Sequence, residues 1–262
     1  MSQKLNIRKF DPRTMSPGSV SVFIGKRNTG KSFLIKDVLA HHKDIFPAGK
    51  VIAATDHLNH FYDSFIPGML VHTVYTKDII NRLFERQKRA IQEKWEKPGT
   101  FIVLDDCLSD KAWQKDECIR RVFLEGRHSK IMLMLGIQGP MEIPRIFRGN
   151  VDYVFILRNN LIRDKKSLHE NYAGMMEYAL FDHLMTLFTE DYGVLVIDNT
   201  SHSNKLEDQI FYYKAESHVD LRMCDRRLWR ENDMNYSQGG ASTSSGQDFT
   251  LRNGKKYTIN KN

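Results

Sequence analysis

At 262 residues, 41% hydrophobic and 27% charged, the chain has room for one α/β domain with additions and too much apolar content for global disorder. A formal net charge of +7 leans toward a polyanionic partner without bearing on fold. Three cysteines without C-x-x-C spacing argue against a disulfide framework, and no stretch has signal-peptide order or membrane-spanning length, so a soluble protein of a reducing, intracellular setting is expected.

Residues 1–18 are polar and basic, broken by Pro12 and Pro17, and predict an arm or short edge strand. Val20–Gly25 then reads as an apolar strand, followed by a loop and a helix from Lys31 to about His42 on which Phe33, Leu34, Val38 and Leu39 recur at helical spacing. Residues 25–32, GKRNTGKS, match G-x-x-x-x-G-K-[ST] in the strand–loop–helix context that the pattern requires. Gly25 and Gly30 let the backbone turn sharply and approach a phosphate. The backbone N–H groups of Lys26, Arg27, Asn28 and Thr29 complete an anion cradle at a helix N-terminus. Lys31 is placed to reach β- and γ-phosphates, and the Ser32 hydroxyl to ligate Mg²⁺. These eight residues are the predicted nucleotide site, with ATP and Mg²⁺ as its ligands.

Lys50–Ala54 predicts a second strand. In 56–68, His57 and His60 form an H-x-x-H pair, readable as two metal ligands but lacking a third in frame. Met69–Val74 predicts a short strand, and Asp78–Glu96 a charged helix with Ile79, Ile80, Leu83, Ile91 and Trp95 on its apolar face, stopped by Pro98–Gly99. Thr100–Cys107, TFIVLDDC, is a near-continuous apolar run of the kind that forms a central parallel strand. Acidic groups at such a strand's C-terminal end lie where open α/β sheets bind ligand. Asp105 is therefore the predicted Mg²⁺-side carboxylate and Asp106 the group that orients or deprotonates the attacking water, against the plainer reading of two solvated aspartates.

A helix is expected over 109–126 with Gly126 as its cap, then Arg127 and a fully apolar strand at Ile131–Ile137. Gln138 closes that strand, either as a sensor of the γ-phosphate or as a simple cap. Val151–Leu157 predicts another strand, Asn159–Asp191 mostly helix, Gly193–Ile197 and Glu207–Lys214 two late strands, and Leu221–Glu231 a basic helix. The strand–helix repetition implies a mostly parallel sheet covered on both faces. Three segments follow: an arm at 1–18, a P-loop domain at 19–231, and a Gly/Ser-rich tail at 232–262 whose Asn253–Gly254 predicts a hairpin over 249–259.

In GKRNTGKS (25–32), FIVLDDC (101–107), GRHSKI (126–131) and LGIQGP (135–140), taken in order, the chain resembles the genome-packaging ATPases of nucleocytoplasmic large DNA viruses, the poxvirus type, within the FtsK–HerA class. The resemblance spans about Val20 to Thr200. It implies a RecA-like, additional-strand (ASCE) P-loop NTPase fold, three layers α/β/α, with the Gln138 strand between the P-loop and Asp105 strands. It further implies a homo-oligomeric ring around double-stranded DNA, driven by ATP to fill a preformed capsid. A capsid or inner-membrane virion component would then be a partner, in the host cytoplasm (the viral factory) or the virion. In such rings an arginine from the next subunit completes each site, and Arg127 matches best, with Arg120, Arg121 and Arg148 as substitutes. A surface arginine at a helix end is the alternative for Arg127. The class carries Asp-Glu where this chain has Asp105–Asp106, which puts Asp106 as general base in question. A non-packaging translocase or helicase of the same class, and a nucleotide-gated scaffold, are the competing functions. Lys111, Lys115, Arg145, Arg148, Arg163, Lys165 and Lys166 are basic groups available to DNA, each equally readable as solvated surface.

Overall fold

Apolar runs that do not alternate can only be buried on both faces, and they form the centre of the molecule. The computed structural model describes residues 4–107 and 116–235 and two further strands of the tail. Its elements, in order, are β1 (Arg8–Lys9), β2 (Val20–Ile24), α1 (Lys31–His41), β3 (Ala48–Ala53), α2 (Asp56–Asn59), β4 (Val71–His72), α3 (Lys77–Gln92), β5 (Thr100–Asp105), α4 (Glu117–Glu125), β6 (Ile131–Ile137), α5 (Arg145–Arg148), β7 (Tyr153–Ile156), α6 (Ile162–Tyr172), α7 (Tyr178–Phe188), β8 (Gly193–Asp198), β9 (Ile210–Lys214) and α8 (Arg226–Asn235). The main sheet has the order β1-β9-β8-β7-β2-β6-β5-β3-β4. Pairing is parallel except at β7–β8 and β8–β9, so β8 alone runs against its neighbours. The interleaving that the family resemblance implies is present: β6 lies between β2 and β5.

The sheet separates two apolar layers. Leu34, Ile35, Val38 and Leu39 of α1 pack with Phe23, Val103, Met134 and Phe155 on one face. On the other, residues of α3, α4, α6 and α7 cover Val22, Ile102, Leu135 and Val154. Phe10 and Met15 of the N-terminal segment are buried in the α1 layer, and β1 pairs with β9. Asp37, fully buried on α1, accepts from the Tyr213 hydroxyl and from His218 Nε2 (both 2.6 Å), which ties α1 to β9 and the segment after it. His41 also approaches, and these three are the one cluster of three or more histidine, cysteine or carboxylate side chains among the described residues close enough to share a metal ion. Their hydrogen bonds already satisfy the carboxylate.

Some expected bounds shift. The helix expected over 78–96 ends at Gln92 rather than at Pro98–Gly99. Lys94 adopts the left-handed conformation (φ 52°), Trp95 N–H donates to the Ala90 carbonyl and Lys94 N–H to that of Ile91. That is a Schellman stop with lysine in the position glycine usually takes. Ile91 and Trp95 consequently lie exposed, and Phe84, Gln87 and Ala90 complete the buried face. Gly126 caps α4 as expected, its N–H on the Val122 carbonyl, with a helical backbone (φ −55°). The final helix starts at Arg226, not Leu221, and the packed chain continues past residue 231, with Asn232 Oδ1 accepting from Met69 N–H (3.1 Å). In the tail, β10 (Gln247–Thr250) and β11 (Lys256–Ile259) pair antiparallel, whereas the Asn253–Gly254 turn expected between them lies outside the described residues.

Candidate functional site

The loop between β2 and α1 sits at the C-terminal edge of the parallel strands, where strand carbonyls end and a helix N-terminus begins. Gly30 caps α1 with φ 96°, a conformation open to glycine at little cost. Asn28 is also left-handed (φ 61°), and Thr29 Oγ1 donates to the Lys26 carbonyl (2.7 Å), closing the loop on itself. Lys31 is buried, and its Nζ donates to the carbonyls of Gly25 (2.8 Å) and Lys26 (3.2 Å) while lying 3.9 Å from Asp106 Oδ1. The ammonium is thus held inside the loop. Arg27 is exposed, and Lys26 pairs with Asp164 at 3.8 Å.

The neighbouring strand ends supply the acidic side. The Ser32 hydroxyl donates to Asp105 Oδ2 (2.6 Å), which joins the first turn of α1 to the end of β5. Tyr62, buried and carried by the segment after β3, donates to the same oxygen (2.6 Å). Asp105 Oδ1 is buried without a partner and faces Gly136 on β6, where a Cβ would stand 2.1 Å from it. Burial pushes the Asp105 carboxyl above the usual carboxylate range, against the pull of Ser32, Tyr62 and Lys31. A hydroxyl and a buried, incompletely satisfied carboxylate are hard oxygen donors, the set a Mg²⁺ ion takes. The donor set therefore fits that ion. Asp106, next along, is left-handed (φ 48°) and half-exposed, and its N–H donates to the Gly136 carbonyl (3.2 Å).

Beyond β6, the N–H groups of Gln138 and Gly139 donate to Glu142 Oε1 (3.1 and 2.6 Å). Burial raises the Glu142 carboxyl, whose field is shared with Asp106 and Lys31. Lys31, Ser32, Asp105, Asp106 and Gln138 thus share one edge of the sheet. Arg127 does not join them. It precedes the start of β6, at the opposite end of the parallel strands, where its guanidinium pairs with Asp152, itself the acceptor for Val20 N–H (2.8 Å). Of the substitutes, Arg121 binds Glu125 and lies over the Phe84 ring, Arg148 holds the Ile143 carbonyl and Asn171, and Arg120 is exposed. Arg145, Arg163 and Lys166 are exposed and Lys165 pairs with Asp182, whereas Lys111 and Lys115 lie outside the described residues. His57 and His60 hold no metal geometry: α2 is a single turn, His60 lies beyond it with φ 50°, and Asp63 binds its Nδ1 at 2.6 Å.

A family model described as poxvirus A32 protein matches residues 14–235, most of the chain. The chain belongs to the poxvirus A32 family. Relatives include an uncharacterized protein of Invertebrate iridescent virus 6, 35% identical over 82% of this chain and 87% of its own length. Another, from Acanthamoeba polyphaga mimivirus, is 34% identical over 81% of this chain and 78% of its own. Among solved structures, the genome packaging NTPase B204 of Sulfolobus turreted icosahedral virus 2, in complex with AMPPCP, superposes with a TM-score of 0.57 at 14% identity, covering 77% of this chain and 100% of that one. Its complex with ATP-gammaS gives 0.55 at 16% identity, covering 77% and 99%. The fold of this A32-family chain is accordingly that of a P-loop NTPase.

Two residues of the site are absent from the motif reading. Tyr62 lies 43 positions from Asp105 in a segment without periodicity, and nothing local marks it. Glu142 carried a weak signal, an acidic residue shortly after Gln138 in a Gly-Pro-containing loop. In this A32-family chain both surround the acidic edge of the nucleotide loop.

Proposed function

We propose that this chain is an ATP-driven motor that moves double-stranded viral DNA into a preformed capsid as a homo-oligomeric ring. The reading rests above all on the hydrogen bond between Ser32 and Asp105, which brings the helix-opening hydroxyl and the strand-end carboxylate of a P-loop NTPase into contact beside Lys31. In this reading Lys31 leaves the loop carbonyls to donate to the β- and γ-phosphates, and the N–H groups of residues 25–30 hold the phosphate chain. Ser32 and Asp105 would hold the Mg²⁺ that accompanies the nucleotide, which would supply neutralisation of the phosphate charge. Asp106 orients or deprotonates the attacking water. Its side chain is one methylene shorter than the glutamate of the wider class, so the water must sit closer to the strand end. Gln138 contacts the γ-phosphate or that water from the strand between.

Arg127 acts on the neighbour's nucleotide, a role consistent with its place at the far end of the sheet. An arginine supplied this way contributes about 10³–10⁵-fold in rate. DNA is held through its phosphates by exposed basic groups, so binding weakens as salt rises. A capsid or inner-membrane virion component docks the ring, in the viral factory or the virion. Among the described residues no helix is long and apolar enough to cross a membrane.

The test is ATP hydrolysis by the purified protein with Mg²⁺, with and without double-stranded DNA. Hydrolysis stimulated by DNA and abolished in Lys31→Ala is expected. Full turnover in Lys31→Ala would remove the site assignment. Binding of ATP without DNA-stimulated hydrolysis would instead favour a nucleotide-gated scaffold, and strand separation a helicase.

A further inference from the structure

On the side of the loop away from Asp105 lies a cavity of about 400 Å³, within the roughly 300–1,000 Å³ of small-molecule sites. Phe33, Leu157, Tyr192, Val194, Lys214 and Ala215 line it, with Gly30 at its rim. Sheet order fixes what this position means. From β2, the strands bearing Gln138 and Asp105 lie to one side and β7, β8 and β9 to the other. A nucleotide whose terminal phosphate points to Asp105 must send its sugar and base the opposite way, over the end of β7 and the start of β8.

Two aromatic side chains wait there in water. Tyr192 is 66% exposed and Phe33 39%. Tyr192 follows Asp191 in two successive left-handed conformations (φ 46° and 59°), sparsely populated for such residues. Such outliers persist where the surroundings over-determine them and cluster at ligand sites. Here the turn is closed by Gly193 N–H on the Glu190 carbonyl (2.8 Å) and by Lys214 Nζ on Asp191 (2.5 Å). The ring is thereby set against the loop: a Cβ at Gly30 would stand 3.5 Å from Tyr192 Cδ1.

We propose that this cavity receives the base of the nucleotide, holding it by contact with Tyr192, Phe33 and Leu157 and without a side-chain hydrogen bond that separates adenine from guanine. Lys214 is engaged by Asp191, and the Tyr192 hydroxyl is the one other polar side-chain group on the lining. The inference rests on the phosphate-site reading of residues 25–32.

Binding of ATP, GTP and inorganic tripolyphosphate to the full-length protein, measured by calorimetry, tests it. ATP and GTP should bind within about tenfold of each other, since large discrimination requires hydrogen bonds to the base. Tyr192→Ala should weaken both by at least roughly fivefold, the range of lost base–aromatic contacts, and leave tripolyphosphate unchanged. Tyr192→Phe should bind as wild type. Ala215→Trp, filling the cavity, should exclude both nucleotides and spare tripolyphosphate. Undiminished ATP binding by Tyr192→Ala, loss of binding in Tyr192→Phe, or a preference for ATP over GTP beyond a hundredfold would overturn the proposal. Failure of the wild type to bind tripolyphosphate would overturn the phosphate site beneath it.

Discussion

Asp105 is held by two hydroxyls, from Ser32 and Tyr62, that arrive from different parts of the chain. If Asp105 serves a metal, Tyr62 is a positioning residue: its O–H fixes the carboxylate's rotation without touching nucleotide. Burial and the adjacent carboxylate hold the phenol well above its ordinary range, so it stays a donor at any working pH. Partners of this kind typically govern about 10–100-fold in metal affinity or activity. Tyr62→Phe is therefore expected to raise the Mg²⁺ concentration for half-maximal hydrolysis by about tenfold with the fold retained. A Mg²⁺ titration that superposes on wild type would leave Tyr62 a space-filling residue. The grouping of Lys31, Ser32, Asp105 and Gln138 on one sheet edge could be read because each sits inside a short local pattern, a glycine-rich loop or the end of an apolar strand, even though Ser32 and Asp105 are 73 positions apart. Tyr62 has no such pattern around it, and its hydrogen bond across 43 positions leaves no mark in the linear chain.

At the level of elements, the strands were the readable part, because burial on both faces leaves runs such as IMLMLGI. Helix ends were less so. Lys94 replaces glycine in the stop of α3, and a left-handed lysine is invisible in composition. The direction of β8 was also hidden, since an apolar run reads the same for either pairing. The edge formed by β3 and β4 carries a pH response. His72, half-buried on β4, accepts from Lys50 Nζ (3.2 Å) and is lowered to about 4 by desolvation and by the Lys50 charge. A histidine lowered in the folded state favours the neutral form there. Its contribution to stability is whole above about 6.5 and is lost as pH falls toward 4. Thermal unfolding should show Tm decreasing across that window, with a smaller decrease in His72→Gln, which can still accept from Lys50. An identical acid slope in the variant would assign the loss to other groups, His42 among them, which burial also lowers.

For the whole molecule, Arg127 and the nucleotide loop occupy opposite ends of one sheet. A single chain in the proposed motor then contains half of each of two sites. Arg127→Ala should be inactive alone, and so should Asp106→Asn. Mixed together they should regain part of the wild-type rate, because some interfaces unite an intact loop with an intact arginine. Merely losing the Asp152 ion pair would not produce rescue on mixing, so absence of rescue would count against action in trans.

The main sheet also finishes on both sides in strands of two residues, β1 and β4. Long open edges invite annealing to other chains, and short ones offer few unpaired N–H and C=O groups. In the proposed ring, neighbouring copies would therefore find little on these rims with which to extend one another's sheet. Their contact would then run mainly through side chains, which part and re-form more readily than a backbone ladder.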